Sequence, residues 1–491
     1  MIRSLRRRAR LLVLPLGLAL AACTQVVNPA TGKREFTTLT PAQEQQIGDQ
    51  EHPKILQQFG GAYPDPTLQT YVTEIGERMK SVSELANQEF TFTLLNTETV
   101  NAFALPGGYV YVTRGLLALA ENEAELAGVI GHEIGHVTAR HTAQRQTQST
   151  VAGGATALGT LLAGIFVGGA AADLVQQGGG IGAQAYLASY SRDQELQADE
   201  LGIRYLQRAG YDPRAMATFL SKLNAQSELD QRLAGVQEDP VAAFFASHPR
   251  TLDRVEAALR EPGVAAGGEL DRDAYLARID GLIYGEDPTQ GFVRGSRFVH
   301  PQLRVAFEAP PRFQLQNTPT AVIGQAQEAA FQFDLVQVAA GASLRDYVGQ
   351  TWARELGAQR IEDVQGFEVD GLQGARAVTR GQTRSGPVIV RLAAIRADGR
   401  NVYRFMFIDQ GQGAAAFEQT VGSFRQLSAD EAAQFGPRRI ALAPVEAGDS
   451  RSTFARRMAI EQAPEQQFEI LNADVLEGGL RAGETVKLIV E

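Results

Sequence analysis

The sequence predicts a multidomain chain: a mainly α-helical domain with a small β-sheet, then an α+β domain, then a small βααβ unit. Three patterns predict this. Helical periodicity dominates residues 41–290, alternating strand-like runs dominate 297–432, and a short strand–helix–helix–strand order closes the chain over 438–491. With 491 residues, two to four domains are expected, and 44% apolar content is enough for real cores.

The first 22 residues read as an export signal. An arginine-rich start with no acid precedes the apolar run Leu11 to Ala22, which is too short to span a bilayer. Removing Arg3, Arg6, Arg7, Arg8 and Arg10 from the 46 basic residues leaves 41 against 56 acidic ones, a balance of −15. Such a chain is poorly suited to nucleic-acid phosphates, so no nucleic-acid partner is expected. Cys23 is the sole cysteine, which excludes an internal disulfide. Leu20-Ala21-Ala22-Cys23 resembles the bacterial lipobox, which implies acylation at Cys23 and a lipid anchor, with Thr24 pointing to the outer membrane. Residues 23–40 then read as a lipid-anchored tether.

Thr40, with Pro41 next, caps a helix reaching about Phe59, and a second helix is expected over Leu68 to Met79. Phe90 to Leu95 and Tyr109 to Thr113 read as strands, separated by Asn101-Ala102-Phe103-Ala104-Leu105-Pro106-Gly107-Gly108. That segment is either an ordinary hairpin or an open edge able to pair with an extended peptide.

A helix capped by Asn122 carries Gly131-His132-Glu133-Ile134-Gly135-His136. At about 100° per residue, His132 and His136 lie about 40° apart on one face, so two imidazoles can address one cation. Glu133 projects beside them, where a carboxylate can take a proton from activated water. Continued helical rotation would carry His141 to the opposite side of the helix from His132, away from any shared ligand set. A third donor comes from the helix capped by Ser191, on which Glu195, Asp199, Gly202 and Leu206 share a face. Glu195 suits the metal, and Asp199, one turn on, suits the N–H of a ligating imidazole. The uncharged stretch Val151 to Ala172 reads as an apolar flap near the site or a membrane-contacting segment, with Gly178-Gly179-Gly180 as a hinge. His52 and His300 read as surface residues.

Three motifs in order, Asn101 to Gly108, His132 to His136 and Glu195-Leu196-Gln197-Ala198-Asp199, resemble the HtpX and CAAX-prenyl-protease family of zinc metallopeptidases, closest to its soluble periplasmic, BepA-like branch. The resemblance covers roughly residues 41–260. It implies a zincin-type catalytic domain binding one Zn2+ through His132, His136 and Glu195, with Glu133 as general base. It also implies that His248, in Ser247-His248-Pro249-Arg250, approaches the zinc as an extra ligand or stabilises the tetrahedral intermediate; Asn101 is a further supporting candidate. Unfolded or misassembled envelope proteins are the implied substrates. The alternative is a metal-containing chaperone or cell-wall-binding scaffold with little turnover.

Beyond the peptidase-like region, strand-like runs at Gln302 to Ala309, Ala329 to Val338, Val388 to Ile395 and Asn401 to Ile408 surround a helix over Leu344 to Leu356. The pattern resembles PsbP-like domains. The βααβ order of 438–491 resembles a LysM module, which implies contact with peptidoglycan.

Overall fold

The computed structural model describes residues 24–151, 190–234, 244, 248, 259–260, 267–327, 329–356, 361–383 and 386–491. The export signal, Cys23, residues 152–172 of the apolar segment, Gly178 to Gly180 and the neighbours of His248 lie outside the described residues.

The segment expected as a tether is instead built into the fold. Strands β1 (Thr24–Val27) and β2 (Arg34–Thr37) form an antiparallel hairpin. Asn28 is buried at its turn and donates through Nδ2 to the Ala139 carbonyl, 2.9 Å away. A polar sequence here does not mean a solvated one, because its amide satisfies a buried backbone group.

Helix α1 (Pro41–Gln58) begins with the Thr40–Gln43 capping box, and α2 (Pro66–Ser81) is capped by Asp65. Strands β3 (Thr91–Leu95), β4 (Ala102–Leu105) and β5 (Tyr109–Thr113) form one sheet in the order β3-β5-β4. β4 and β5 pair as an antiparallel hairpin through the Pro106-Gly107-Gly108 turn, while β3 pairs with β5 in parallel. Among the described residues β4 is thus both half of a hairpin and an edge of its sheet.

A short helix, α3 (Arg114–Leu119), leads into α4 (Glu123–Thr138), capped by Asn122 and buried along nearly its whole length. Arg140, at φ 55°, breaks the chain direction before α5 (His141–Val151). Across α4 packs α6 (Arg192–Ala209), which opens on the Ser191–Gln194 capping box and closes on Gly210 at φ 90°. The two helices approach closely because glycine stands at the crossing. A Cβ on Gly202 would lie 3.0 Å from the His132 nitrogen, and one on Gly135 would lie 3.1 Å from the Ala198 carbonyl oxygen. Helices α7 (Ala215–Ala234) and α8 (Arg272–Ile279) complete this layer.

After β6 (Ile283–Tyr284) come β7 (Phe292–Arg294), β8 (Arg297–His300) and β9 (Val305–Glu308). A seven-stranded antiparallel sheet follows, built from β10 (Gln314–Asn317), β11 (Val322–Ala326), β12 (Ala329–Gln337), β13 (Gln365–Val369), β14 (Leu372–Thr383), β15 (Gly386–Arg396) and β16 (Asn401–Asp409). Its order is β10-β11-β12-β16-β15-β14-β13. Trp352 and its turns, Tyr347–Trp352 being a π-helical segment, pack on one face, and a phenylalanine-rich core fills the other. With β17 (Arg425–Gln426), strands β7 to β9 form a second sheet.

In the last unit, β18 (Arg438–Pro444) and β19 (Thr485–Val490) pair antiparallel around helices Arg451–Ala455, Pro464–Leu471 and Ala473–Glu477. β18 also pairs with β6, and Phe454, Phe468 and Ile489 join the same apolar core as Leu126 and Ile130 of α4. Two residues expected at the surface are not there: His300 is buried, and His52 is half-buried with Nδ1 2.8 Å from the Tyr111 hydroxyl.

Candidate metal centre

One turn of α4 presents His132 and His136, and α6 brings Glu195 against them from across the glycine-lined crossing. His248 comes from a third direction. The donor atoms of these four buried residues all lie within 4.8 Å of one another. Glu195 Oε1 is 3.4 Å from His136 Nε2 and 3.1 Å from His248 Nδ1, while Glu195 Oε2 is 3.8 Å from His132 Nε2.

The outer partners decide which imidazole nitrogens face inward. His132 Nδ1 lies 3.0 Å from Asp199 Oδ1, and a carboxylate favours the proton on that nitrogen. His136 Nδ1 lies 2.8 Å from His141 Nδ1, and His141 Nε2 lies 3.0 Å from Gln197 Oε1. An amide oxygen only accepts, so His141 carries its proton on Nε2 and offers its Nδ1 lone pair to the His136 N–H. Burial holds His141 down to about 4, which keeps it neutral for this role. Both inner nitrogens are then bare. Nε2 of His132 and Nε2 of His136 nevertheless stand 3.0 Å apart, two lone pairs whose mutual repulsion a cation would relieve. Nitrogen and carboxylate donors in this number suit tetrahedral zinc.

The electrostatics agree. Burial pushes the Glu133 carboxyl up, against the pull of His248 and His132. Glu195 is held far below the usual carboxylate range: burial alone would raise it, but His248 and His136 outweigh burial. Burial likewise pulls His136 well down. For His248, burial would lower the imidazole, yet Glu195 and Glu133 raise it to about 9. Two enclosed carboxylates thus draw a positive charge onto the cluster. Glu133 is wholly buried beside the donors, 3.3 Å from His248 Nε2 and facing the Ala104 N–H.

The structure brings together His132, Glu133, His136, Glu195, Asp199 and His248. Asn101 heads β4, where its N–H donates to Thr113 Oγ1 and its carbonyl accepts the Thr113 hydroxyl; none of the hydrogen bonds described for it reaches the four donors. Three residues were missed. His141 was set aside by treating the helix as continuous, whereas the turn at Arg140 folds it back onto His136. Gln197 stood inside the quoted motif without a role. Tyr190 stacks on His136 at 3.7 Å, beneath the Arg145 guanidinium, and nothing in its local sequence marks it.

Comparison with known proteins agrees with this geometry. Residues 66–262 match the family Peptidase family M48. The chain is similar to the Beta-barrel assembly-enhancing protease of Escherichia coli K12, with 36% identity over 214 residues that cover 42% of each chain. It is also similar to the Mitochondrial metalloendopeptidase OMA1 of Schizosaccharomyces pombe, with 27% identity over 232 residues covering 46% of this chain and 63% of that one. The match thus spans less than half the length of the Escherichia coli relative. The solution structure of cyanobacterial PsbP from Synechocystis overlaps 28% of this chain and 95% of its own, with 11% identity and a TM-score of 0.23. The two histidines and the glutamate that converge from α4 and α6 all lie inside the segment, residues 66–262, that matches peptidase family M48.

Proposed function

We propose that this chain is a zinc-dependent metalloendopeptidase of the bacterial cell envelope that cleaves unfolded or misassembled envelope proteins. The observation that carries the reading is the pair of inward-facing imidazole nitrogens beside Glu195, with the buried Glu133 carboxylate next to them. Bound to His132, His136 and Glu195, zinc would supply Lewis-acid polarisation of a scissile carbonyl and acidify the attacking water. Glu133 takes the water proton and passes it to the leaving amine nitrogen; its raised pKa makes it a carboxylate able to hold that proton between the two steps. Asp199 and the His141–Gln197 pair hold the two imidazoles in the tautomer this requires. β4, a sheet edge among the described residues that packs against α4, offers backbone hydrogen bonds to a substrate of any sequence.

His248 favours a second, compatible reading. Its nitrogen lies among the donors, 3.2 Å from His132 Nε2, so this arrangement is a latent one in which His248 fills the position that water or substrate needs. Replacing it by alanine raises activity on this reading; a loss would assign it to the transition state instead.

The envelope setting is supported by the export-type start and by the name of the Escherichia coli relative. Among the described residues no helix is long and apolar enough to cross a membrane. An acyl anchor at Cys23 would leave no spacer, since Thr24 already opens the hairpin seated on the end of α4, and the cleft would be held at the bilayer surface. Peptidoglycan contact by residues 438–491 is supported only by the resemblance of their strand–helix–strand order, although three short helices stand between the strands where two were expected.

The test is Glu133→Gln. Zinc content should match wild type while casein cleavage falls by about 10²–10⁴, the usual range for loss of a general base. Retained proteolysis by the zinc-loaded variant sinks the assignment.

A further inference from the structure

The N-terminal hairpin does more than rest on α4. A cavity of about 470 Å³ is lined by Val26 and Val27 of β1, by Ala104 and Leu105 of β4, and by His136 and Tyr190. Such a volume falls among ordinary ligand pockets, roughly 300–1,000 Å³. Both strands that line it are sheet edges. Among the described residues, β4 pairs with no strand but β5, and β1 with none but β2.

The register tells which backbone groups are unused. The Asn28 N–H donates to the Lys33 carbonyl, and Val26 stands opposite Glu35. Bonded pairs alternate along an antiparallel ladder, so residues 24, 26 and 28 point their N–H and C=O groups into the hairpin, and Gln25 and Val27 point theirs away from it. In β4 the bonded positions are 101, 103 and 105, because the Thr113 N–H donates to the Asn101 carbonyl and the same register continues to Leu105 opposite Tyr109. Ala102 and Ala104 therefore point outward; the Ala104 N–H is taken up by the Glu133 carboxylate, so the Ala102 N–H and the carbonyls of Ala102 and Ala104 are the outward groups left for a further strand. An outward edge of backbone donors and acceptors is a template for one more strand.

The hairpin is also held firmly enough to serve as a wall. Arg140 donates to the Leu39 carbonyl at 3.0 Å and to Glu44 Oε2 at 2.9 Å, and the Thr38 N–H donates to Thr147 Oγ1 at 3.0 Å. These ties run to the joint between α4 and α5, the same joint that sets His141 against His136.

We propose that β1 is a second substrate-binding edge: an extended, unfolded polypeptide lies in the cavity between β4 and β1 and hydrogen-bonds to the outward groups of both. This rests on the peptidase reading and adds to it a binding element outside the family-matched segment, which begins only at residue 66. Two edges would grip a chain by its backbone on both sides, leaving recognition to extension rather than to sequence, with the aliphatic walls of Val26, Val27 and Leu105 favouring apolar side chains.

The experiment is hydrogen–deuterium exchange of the full-length, zinc-loaded Glu133→Gln protein with and without unfolded β-casein. Amides of 24–27 and of 102–105 should both exchange at least about fivefold more slowly when casein is bound, the effect of one net backbone hydrogen bond of about 1 kcal/mol. Protection confined to 102–105, or at neither strand, overturns the proposal. As a second arm, Val27→Pro removes one outward N–H at an edge position where proline is tolerated. It should weaken casein binding by about fivefold, whereas Phe36→Ser, at an exposed β2 position absent from the cavity lining, should leave it unchanged. Equal affinities for wild-type and Val27→Pro hairpins count against a role for β1. Cleavage by the wild-type enzyme is scored separately, so an inactive peptidase and a non-participating hairpin give different results.

Discussion

Lys222 on α7 is the sharpest place to test how the metal helix is held. Its ammonium is 2% exposed and lies 2.7 Å from Glu125, 3.1 Å from Glu121 and 3.2 Å from Asp474. Glu121 and Glu125, both fully buried, flank the Asn122 cap of α4, and Asp474 belongs to the last unit of the chain. Arg272 Nη2 adds a contact to Glu121 at 2.9 Å, and Lys487 Nζ donates to the carbonyls of Ala118 and Ala120 at 2.9 and 2.7 Å. Three carboxylates thus meet Lys222 and Arg272 where the start of α4 joins the last unit of the chain, with Lys487 on the adjoining carbonyls. Lys222→Met leaves two carboxylates enclosed with less compensation, a change that costs about 3–5 kcal/mol when one partner of a buried pair is removed. Glu121 keeps Arg272 and Glu125 keeps the Thr218 hydroxyl at 2.7 Å, so the lower end, about 3 kcal/mol, is expected. At roughly 2–4 °C per kcal/mol for a unit of this size, the melting temperature should fall by about 6–12 °C. Urea unfolding followed by circular dichroism measures it. The triple variant Lys222→Met, Glu121→Gln, Glu125→Gln should recover part of the loss, because the penalty comes from the orphaned charges and not from the missing lysine. A single variant within about 1 kcal/mol of wild type, or a triple variant worse than the single one, refutes the account.

His141→Phe removes the acceptor for the His136 Nδ1 proton and should weaken zinc binding by about 10–100-fold in chelator competition, with His141→Gln partly restoring it; equal affinity would strip His141 of its orienting role. Gly202→Val places branched carbons at a crossing where even a Cβ sits 3.0 Å from the His132 nitrogen. It should cost about 1–3 kcal/mol and lower zinc affinity by shifting Glu195 from the histidines; unchanged zinc binding would mean the crossing tolerates the load. His300 is buried, and burial holds its imidazole down to about 4 from an unfolded value near 6.5. The unfolded chain therefore binds the extra proton between these values, and stability present above pH 6.5 is lost as pH falls toward 4. The loss is up to about 3 kcal/mol. His300→Gln should flatten that slope in thermal unfolding scans; an identical slope would remove His300 from the acid response.

Local pattern was enough for the central helices. The spacing of His132 and His136, the Asn122 and Ser191 caps and the shared face of Glu195, Asp199 and Gly202 depend on residues within a few turns of one another, and a helix's periodicity fixes such a face wherever the helix ends up packed. The strand alternation of 329–337 and 401–409 was readable for the same reason. β10, β11, β13 and β14 were missed because their exposed faces and glycines blur a period-two signal.

Tertiary structure decided the rest. That Thr24 to Thr37 is a hairpin tied to Ala139 and Thr147, and not a tether, follows from partners about 110 residues away, which no local pattern encodes. The return of His141 to His136 hangs on one residue in the left-handed region, Arg140, a conformation that its side chain does not announce. Residues 438–491 have a readable order of elements, yet whether they stand alone or complete the peptidase core depended on where Asp474, Phe468 and Lys487 could bury themselves. Sequence sets which faces are apolar and which side chains share them; the meeting of faces far apart in the chain is settled by close packing and by the need to pair every buried charge.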